Sequence, residues 1–305
     1  MRILVLGHTG YLGAHIARRL AALPGTQVLG GGRSPVAEVP VDLTADSAHH
    51  LAEVLAMVAP DAVVNCAGAV GGDPVTLVEV NARGPAVLCA ALSQACPSTR
   101  LVHLGSAAEY GPGIPEVRTT ESAATSPVTV YGATKLAGTV AVTASGLDAV
   151  VLRIGNPVGS GAPAAGLPGR VTALMREAGT GPDAVLRLGD LTAHRDFVDA
   201  RDVAHATERA VTVPGPLPDV LNIGGGDAVP GAPSGAVTRG HRRLPRHDRG
   251  AGCRFSPVGT GPLAMLRHLR RRQAPRLAAV PLAPGIAEGP VVGRRPSPSP
   301  LRAVP

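Results

Sequence analysis

Apolar residues fall first in short unbroken runs and then at helical spacing, and this alternation repeats along most of the chain. Ile3-Leu4-Val5-Leu6 has no polar interruption, the pattern of a strand covered on both faces of a sheet. It ends in Gly7-His8-Thr9-Gly10-Tyr11-Leu12-Gly13 and opens into a helix over 14–20 that carries Ile16 and Leu20 four apart. The same pattern predicts a strand over 27–31, a third strand bringing in Asp42, a helix over 46–58, a strand over 62–65, and a long helix from Asp73 to Cys96 carrying Asn81 as a capping or packing polar group. A strand over 100–105 then delivers Ser106 at its carboxyl end. Further on come a helix over 202–212, with Asp202 read as its cap, and a strand end at Asn222-Ile223. Strands and helices in strict alternation predict an α/β fold with a doubly wound parallel sheet.

The rhythm stops after Asp227. Residues 229–305 hold 14 arginines against Asp248 and Glu288, together with 13 prolines and 10 glycines, and only 264–273 has a helical pattern of useful length. A Pro/Arg/Gly-rich segment of this kind cannot bury enough apolar surface to fold and reads as disordered. It is either a basic interaction tail or the product of a changed reading frame in GC-rich coding DNA, and the abrupt loss of periodicity favours the second. The organisation predicted is therefore a periodic body over 1–228, in two portions 1–155 and 156–228, followed by the tail.

Charge and composition narrow the function. The formal net charge of +7 comes from the tail, so the body is mildly acidic; with no tryptophan, two phenylalanines and three tyrosines it offers no set of rings on which bases could stack. Nucleic acid is excluded as a partner of the body. The amino terminus lacks the apolar stretch and small-residue cleavage site of a signal peptide, and no uninterrupted apolar run reaches the ~18 residues of a membrane helix, so a cytoplasmic protein without a membrane partner is expected. Cys66, Cys89, Cys96 and Cys253 show no metal-ligand spacing and read as reduced packing residues.

The candidate chemistry sits where strands end. A glycine-spaced turn between strand and helix lets backbone approach a pyrophosphate and offers it free amides, which nominates Gly7 through Gly13, with His8, Thr9, Tyr11 and Leu12 between the glycines. The second strand ends in Gly31-Gly32-Arg33-Ser34 rather than an acidic residue, so an arginine and a hydroxyl are available for a 2′-phosphate, and NADP(H) is favoured over NAD(H). Asp42 and Leu43 fall near an adenine, and Ala67-Gly68 are small enough for a cofactor to lie against backbone. In Tyr131-Gly132-Ala133-Thr134-Lys135 a phenol and the only lysine of the chain lie four apart on one helical face. An ammonium beside a phenol favours the phenolate and lowers its pKa, and Ser106 adds a second hydroxyl with which a carbonyl can be held and protonated.

In this order, Gly7-x-x-Gly10-x-x-Gly13, Asp42-Leu43, Asn65-x-Ala67-Gly68, Ser106 and Tyr131-x-x-x-Lys135 resemble the extended short-chain dehydrogenase/reductases that act on nucleotide sugars, the NAD-dependent epimerase/dehydratase family. The likeness extends through Gly105 to Gly111, Arg153 to Gly159 and Leu188 to Val203. The last of these is similar to GDP-4-keto-6-deoxymannose reductases and to dTDP-4-keto-6-deoxyallose reductases of antibiotic pathways. The resemblance implies a Rossmann fold with an NAD(P)-binding domain over 1–155 and a small substrate-binding portion over 156–228 interleaved with the last elements of that domain, Tyr131 as acid-base, Lys135 as its pKa partner and ribose ligand, Ser106 as carbonyl donor, Asn156 and Arg195 as ligands of the sugar nucleotide, and a homodimer formed through the helix of Tyr131. Glu109 reads as a sugar contact or a surface charge.

One departure bears on the reaction. Dehydratases of this family carry a glutamate two residues after the catalytic hydroxyl, usually preceded by another polar residue; here those positions are Ala107 and Ala108. The expectation is a reductase acting on a nucleotide-linked 4-keto-6-deoxyhexose, with a 4-epimerase as the alternative and a dinucleotide-sensing protein without catalysis as a distant third.

Overall fold

The computed structural model describes residues 1–114, 117–164, 167–178, 185–186, 194–226, 228–230 and 242–243. In chain order the elements are β1 (Arg2–Leu6), α1 (Tyr11–Ala21), β2 (Gln27–Gly32), β3 (Val39–Pro40), α2 (Ala48–Val58), β4 (Ala62–Asn65), α3 (Pro74–Val78), α4 (Gly84–Ala95), β5 (Arg100–Ser106), α5 (Val130–Thr143), β6 (Ala149–Ile154), β7 (Asn156–Val158), α6 (Leu167–Ala178), β8 (Val185–Leu186), β9 (His194–Asp199), α7 (Ala200–Thr212), β10 (Val220–Ile223), β11 (Ala228–Pro230) and β12 (Arg242–Arg243).

Seven strands form one sheet in the order β10-β6-β5-β4-β1-β2-β3, every neighbouring pair parallel. The unbroken apolar runs are explained by cover on both faces. Ile3 and Val5 of β1 join Val64, Val102, Val150 and Leu152 beneath Ile16 and Leu20 of α1 and Val203 and Ala210 of α7. The intervening Leu4 and Leu6 join Val63, Leu101 and Val151 beneath Leu51 and Leu55 of α2, Leu88 and Leu92 of α4, and Val142 of α5. Each such leucine or isoleucine, taken wholly from water, stabilises the fold by roughly 1.5–3 kcal/mol. Connections leave β1 and β4 toward opposite edges, and the register sets Leu6 beside Asn65. Their carboxyl ends thus open on a crevice at the point where strand order reverses, where ligands of such sheets bind.

Several predicted elements differ in detail. The third strand is Val39–Pro40, so Asp42 lies beyond it in a turn where its side chain accepts from the amide and hydroxyl of Thr44 at 2.9 and 2.7 Å. The helix over 73–96 is split by a π turn at Glu79–Arg83. Pro85 has no N–H to give to the carbonyl of Asn81, and the Gly84 amide bonds instead to Glu79, one residue further back. By length and apolar composition Pro74–Ala95 could cross a membrane, but Leu77, Leu88, Ala91 and Leu92 are buried in this fold. The cap of α7 is Asp199, whose carboxylate accepts from the Arg201 amide at 2.8 Å, while Asp202 lies in the first turn.

Beside the main sheet, β7, β9 and β11 form a three-stranded sheet, and β8 pairs with β12. Val229 and Pro230 pair antiparallel with Arg195 and His194, and Arg243 and Arg242 with Val185 and Leu186, so regular pairing continues past the predicted start of the tail. The predicted helix 264–273 and the rest of the tail lie outside the described residues.

Candidate active site

The turn after β1 is shaped by contacts that exclude side chains. Gly7 has φ +73°, and a Cβ there would lie 2.8 Å from the Ala67 amide nitrogen; a Cβ on Gly13 would lie 2.1 Å from the Gly7 carbonyl oxygen. Backbone therefore meets backbone across the switch point, between the turn after β1 and Ala67-Gly68 after β4. Helix α1 begins inside this turn, at Tyr11, with Gly10 at its cap and neither a capping side chain nor an acidic residue in its first turn. The amides at the helix start are left for an anion. This cradle, whose backbone a Cβ at Gly13 would push apart, fits the pyrophosphate of a dinucleotide. His8 covers Gly30, and the Tyr11 ring packs edge-on against His15, with a buried hydroxyl and a pKa pushed up to about 12 by burial and then by Asp199.

Ser106, Tyr131 and Lys135 converge at the carboxyl end of β5. Thr129 caps α5 by accepting from the Gly132 amide at 3.0 Å, which fixes Tyr131 in the first turn. A Cβ on Gly132 would lie 2.5 Å from the Ala108 carbonyl oxygen, so glycine after the tyrosine lets the helix start press against the turn that carries Ser106. The Ser106 hydroxyl is close enough to the Tyr131 phenol to act on its ionisation, and it also accepts from the Ala108 amide at 3.2 Å. Lys135 is buried and donates from Nζ to the Leu104 carbonyl at 2.6 Å, and a Cβ on Gly68 would be 4.0 Å from the same Nζ. Asn81, wholly buried in the π turn, ties this helix to the β4 loop by exchanging hydrogen bonds with Ala69 and donating to Thr134 at 3.3 Å.

The electrostatics depart from the sequence expectation at one point. Burial raises the Tyr131 pKa above its ordinary value, the Ser106 hydrogen bond lowers it and the Glu109 carboxylate raises it further, so the net direction is up rather than down. The lysine does not offset this. Burial brings Lys135 down to about 8, against the charges of Glu109 and Cys66, and its ammonium is turned to the carbonyl of Leu104. Burial also pushes the Cys66 thiol up to about 12. His103 on β5 is wholly buried with both ring nitrogens unpartnered and is held neutral by burial and then by the nearby lysine.

Glu109 is neither a surface charge nor open to a sugar. It is wholly buried; Oε1 accepts from the Ser106 amide at 2.7 Å, and Oε2 accepts from the Thr139 hydroxyl at 2.9 Å and Arg153 Nε at 2.7 Å. Sequence reasoning missed Arg153 and Thr139. The signals were present: Ser106-x-x-Glu109 is a capping-box spacing, and Arg153 is a charge inside the buried run Val150-Val151-Leu152-Arg153-Ile154.

The remaining predicted residues lie around the same strand ends. Arg33 is exposed just past β2. Burial acts to raise the Asp42 carboxyl, but hydrogen bonds from Thr44, the charge of Arg33 and the Ala45 amide hold it below its ordinary value. Leu43 is buried in the core and touches Gly84 through its side chain. Glu38, between β2 and β3, accepts from the Gly30 amide at 2.6 Å, an acid near the second strand that its position in sequence did not reveal. Asn156 and Arg195 come from the adjacent strands β7 and β9; Asn156 donates to the Asp196 carbonyl at 3.1 Å, and the exposed Arg195 donates to the His194 carbonyl at 2.9 Å.

A dinucleotide cradle at the switch point beside a serine, a tyrosine and a buried lysine defines a Rossmann-type site for nicotinamide-dependent chemistry. The model of the NAD-dependent epimerase/dehydratase family matches residues 3–224, and the chain belongs to that family. It is 37% identical over 239 residues to dTDP-6-deoxy-L-talose 4-dehydrogenase (NAD(P)+) of Kitasatospora kifunensis, covering 74% of this chain and 74% of the relative. Among solved structures it is similar to MoeE5 in complex with UDP-glucose and NAD, with 26% identity and a TM-score of 0.65, covering 75% of this chain and 78% of the other. The UDP-glucose 4-epimerase of Thermotoga maritima shares the fold at 22% identity and a TM-score of 0.64, over 76% of this chain and 79% of the other. The protein is thus an enzyme of a nucleotide-sugar family.

Proposed function

We propose that the protein is an NADPH-dependent reductase of the C4 keto group of a dTDP- or GDP-linked 4-keto-6-deoxyhexose. The observation that carries this reading is the proximity of the Ser106 hydroxyl to that of Tyr131, on the helix of Lys135, with alanines at 107 and 108 where an eliminating enzyme of the family has its carboxyl acid. Glu109, the next carboxylate, is buried and bonded to Arg153 and cannot replace that acid. The Kitasatospora relative, by its name, oxidises at the same sugar carbon, and reduction of a 4-ketone is that reaction reversed.

The dinucleotide is held by the turn Gly7–Gly13, by Ala67-Gly68 and by Lys135, with Arg33 and Ser34 toward a 2′-phosphate and Asp42 and Leu43 toward the adenine. When bound, it supplies the hydride. Ser106 donates to the substrate carbonyl oxygen and orients it, and Tyr131 gives that oxygen its proton as negative charge develops there. Lys135, its ammonium anchored on the Leu104 carbonyl and close to Gly68, serves the ribose hydroxyls of the dinucleotide, and Asn156 and Arg195 hold the nucleotide diphosphate. Exposed Val128, Val130 and Val140, at or near the Tyr131 helix, support pairing of two copies through it.

The test is absorbance at the reduced-nicotinamide band when NADPH meets dTDP- or GDP-4-keto-6-deoxyhexose. Stoichiometric oxidation that disappears in Tyr131→Phe establishes the reductase. Folded protein that retains its dinucleotide through purification and oxidises none overturns it in favour of the 4-epimerase.

A further inference from the structure

Beneath the reacting hydroxyls lies a charged pair to which the family chemistry assigns no part. Glu109, in the short 3-10 turn after β5, is wholly buried, and its partner Arg153 on β6 is 4% exposed. Such a pair is a poor source of stability, because desolvating two ions costs about what their attraction returns. It is a good source of geometry. One carboxylate fixes three elements: the Ser106 amide at the end of β5, the Thr139 hydroxyl on α5 and the Arg153 guanidinium on β6. Thr139 lies eight residues after Tyr131 and four after Lys135, so the helix that carries both site residues is held by the carboxylate that holds Ser106. The guanidinium stacks 4.4 Å from the centroid of the Tyr110 ring, whose hydroxyl donates to Asn222 on β10 at 2.8 Å, and this braces the pair from the far side.

We propose that Glu109 and Arg153 are a positioning pair that holds the Ser106 turn and the Tyr131 helix in mutual register and sets the charge felt by the Tyr131 phenol. The catalytic part of the inference rests on the reductase reading above; the charge part does not. Around the phenol the groups to be counted are Ser106 and Glu109 from the β5 turn and Lys135 on its own helix. Cys66, just after β4, and His103 from β5 face the lysine, and Arg153 from β6 faces Glu109. Of these, the Glu109 carboxylate opposes ionisation of Tyr131. Removing its charge while keeping its shape lets the phenol ionise at lower pH. Removing only its tie to α5 leaves the phenol's charge environment as it was and loosens the geometry.

The experiment is a tyrosinate absorbance titration of the full chain, with the Tyr131→Phe curve subtracted. The chain has three tyrosines, and the other two, Tyr11 and Tyr110, ionise above their ordinary range. In Glu109→Gln the Tyr131 component moves to lower pH; in Thr139→Val and Arg153→Lys, which keep Glu109 charged, it stays. All three variants lower kcat by ~10- to 100-fold with KM for NADPH unchanged, as expected of a misplaced rather than an unbound substrate. If Glu109→Gln does not fold, Glu109→Gln/Arg153→Met leaves no orphan charge and moves the titration in the same direction. An unmoved Tyr131 component in a folded Glu109 variant overturns the proposal whatever the substrate. So does wild-type kcat in Thr139→Val and Arg153→Lys. Absence of NADPH oxidation by the wild type fails the reductase reading instead and leaves the titration as the test of the pair.

Discussion

The ammonium of Lys135 donates to the main-chain carbonyl of Leu104 across 2.6 Å, in a place where burial brings its pKa to about 8 from the ordinary 10.5. The folded protein therefore holds this proton less tightly than the unfolded chain does. Below about pH 8 both states are protonated and the full cost of the buried charge, ~3 kcal/mol, is present. Between about pH 8 and 10.5 the folded lysine has lost its proton and the unfolded one has not, so this cost is relieved as pH rises. Lys135→Met has no such proton. Urea denaturation of the two proteins should show the wild type gaining on the variant across that window, and parallel curves would contradict the buried charge.

Tyr131→Phe removes the proton donor and the polar contact of its hydroxyl with Ser106. Turnover should fall by ~10²- to 10⁴-fold, while stability falls by no more than ~0.5–1.5 kcal/mol, the net worth of a single hydrogen bond. Single-turnover NADPH oxidation and denaturation midpoints measure the two separately. A variant that keeps wild-type turnover would remove Tyr131 from the chemistry.

The sheet was legible because its signals are local. Unbroken apolar runs such as Ile3–Leu6 and Ala62–Val64 admit one environment, and the Gly7–Gly13 spacing demands a turn that only small residues allow. Ser106, Tyr131 and Lys135 were legible because helical spacing and strand ends are also read from neighbours in sequence. What escaped was set across sequence distance. Pro85 deprives the Asn81 carbonyl of its amide and makes a π turn in the middle of an otherwise regular apolar pattern. The Tyr131 pKa moves up because burial and the Glu109 carboxylate outweigh Ser106, and Lys135, four residues on, spends its ammonium on a carbonyl 31 positions away. Glu109 read as a sugar contact or a surface charge because its partner on β6 lies 44 residues later. Asp202 and Asp199 are both plausible caps by composition, and only the backbone turn at Asp199 decides between them.

Gly13→Ala tests the cradle. Its new Cβ would stand 2.1 Å from the Gly7 carbonyl oxygen, a contact with backbone that cannot yield without moving the turn. Calorimetric titration should find binding of both NADPH and NADH lost together. Gly71→Ala, whose Cβ would meet nothing within 4 Å, should bind as the wild type does. Retained binding in Gly13→Ala would mean that the dinucleotide does not use this turn.

Arg33→Ala separates the two dinucleotides. The guanidinium is exposed at the end of β2 and is close enough to Asp42 to hold that carboxyl below its ordinary value, after burial and the Thr44 hydrogen bonds have had their effects. A 2′-phosphate arriving there would gain a charge-assisted hydrogen bond, worth ~1.5–3 kcal/mol or about ten- to a hundredfold in affinity. NADH has only a hydroxyl at that position and gains little. Arg33→Ala should therefore weaken NADPH by about that factor and leave NADH unchanged, as read by quenching of the bound reduced nicotinamide at fixed ionic strength. Equal weakening of both would place Arg33 near the shared part of the dinucleotide. No weakening of either would leave the recognition of the adenosine ribose to Asp42 and Glu38, and with it a preference for NADH.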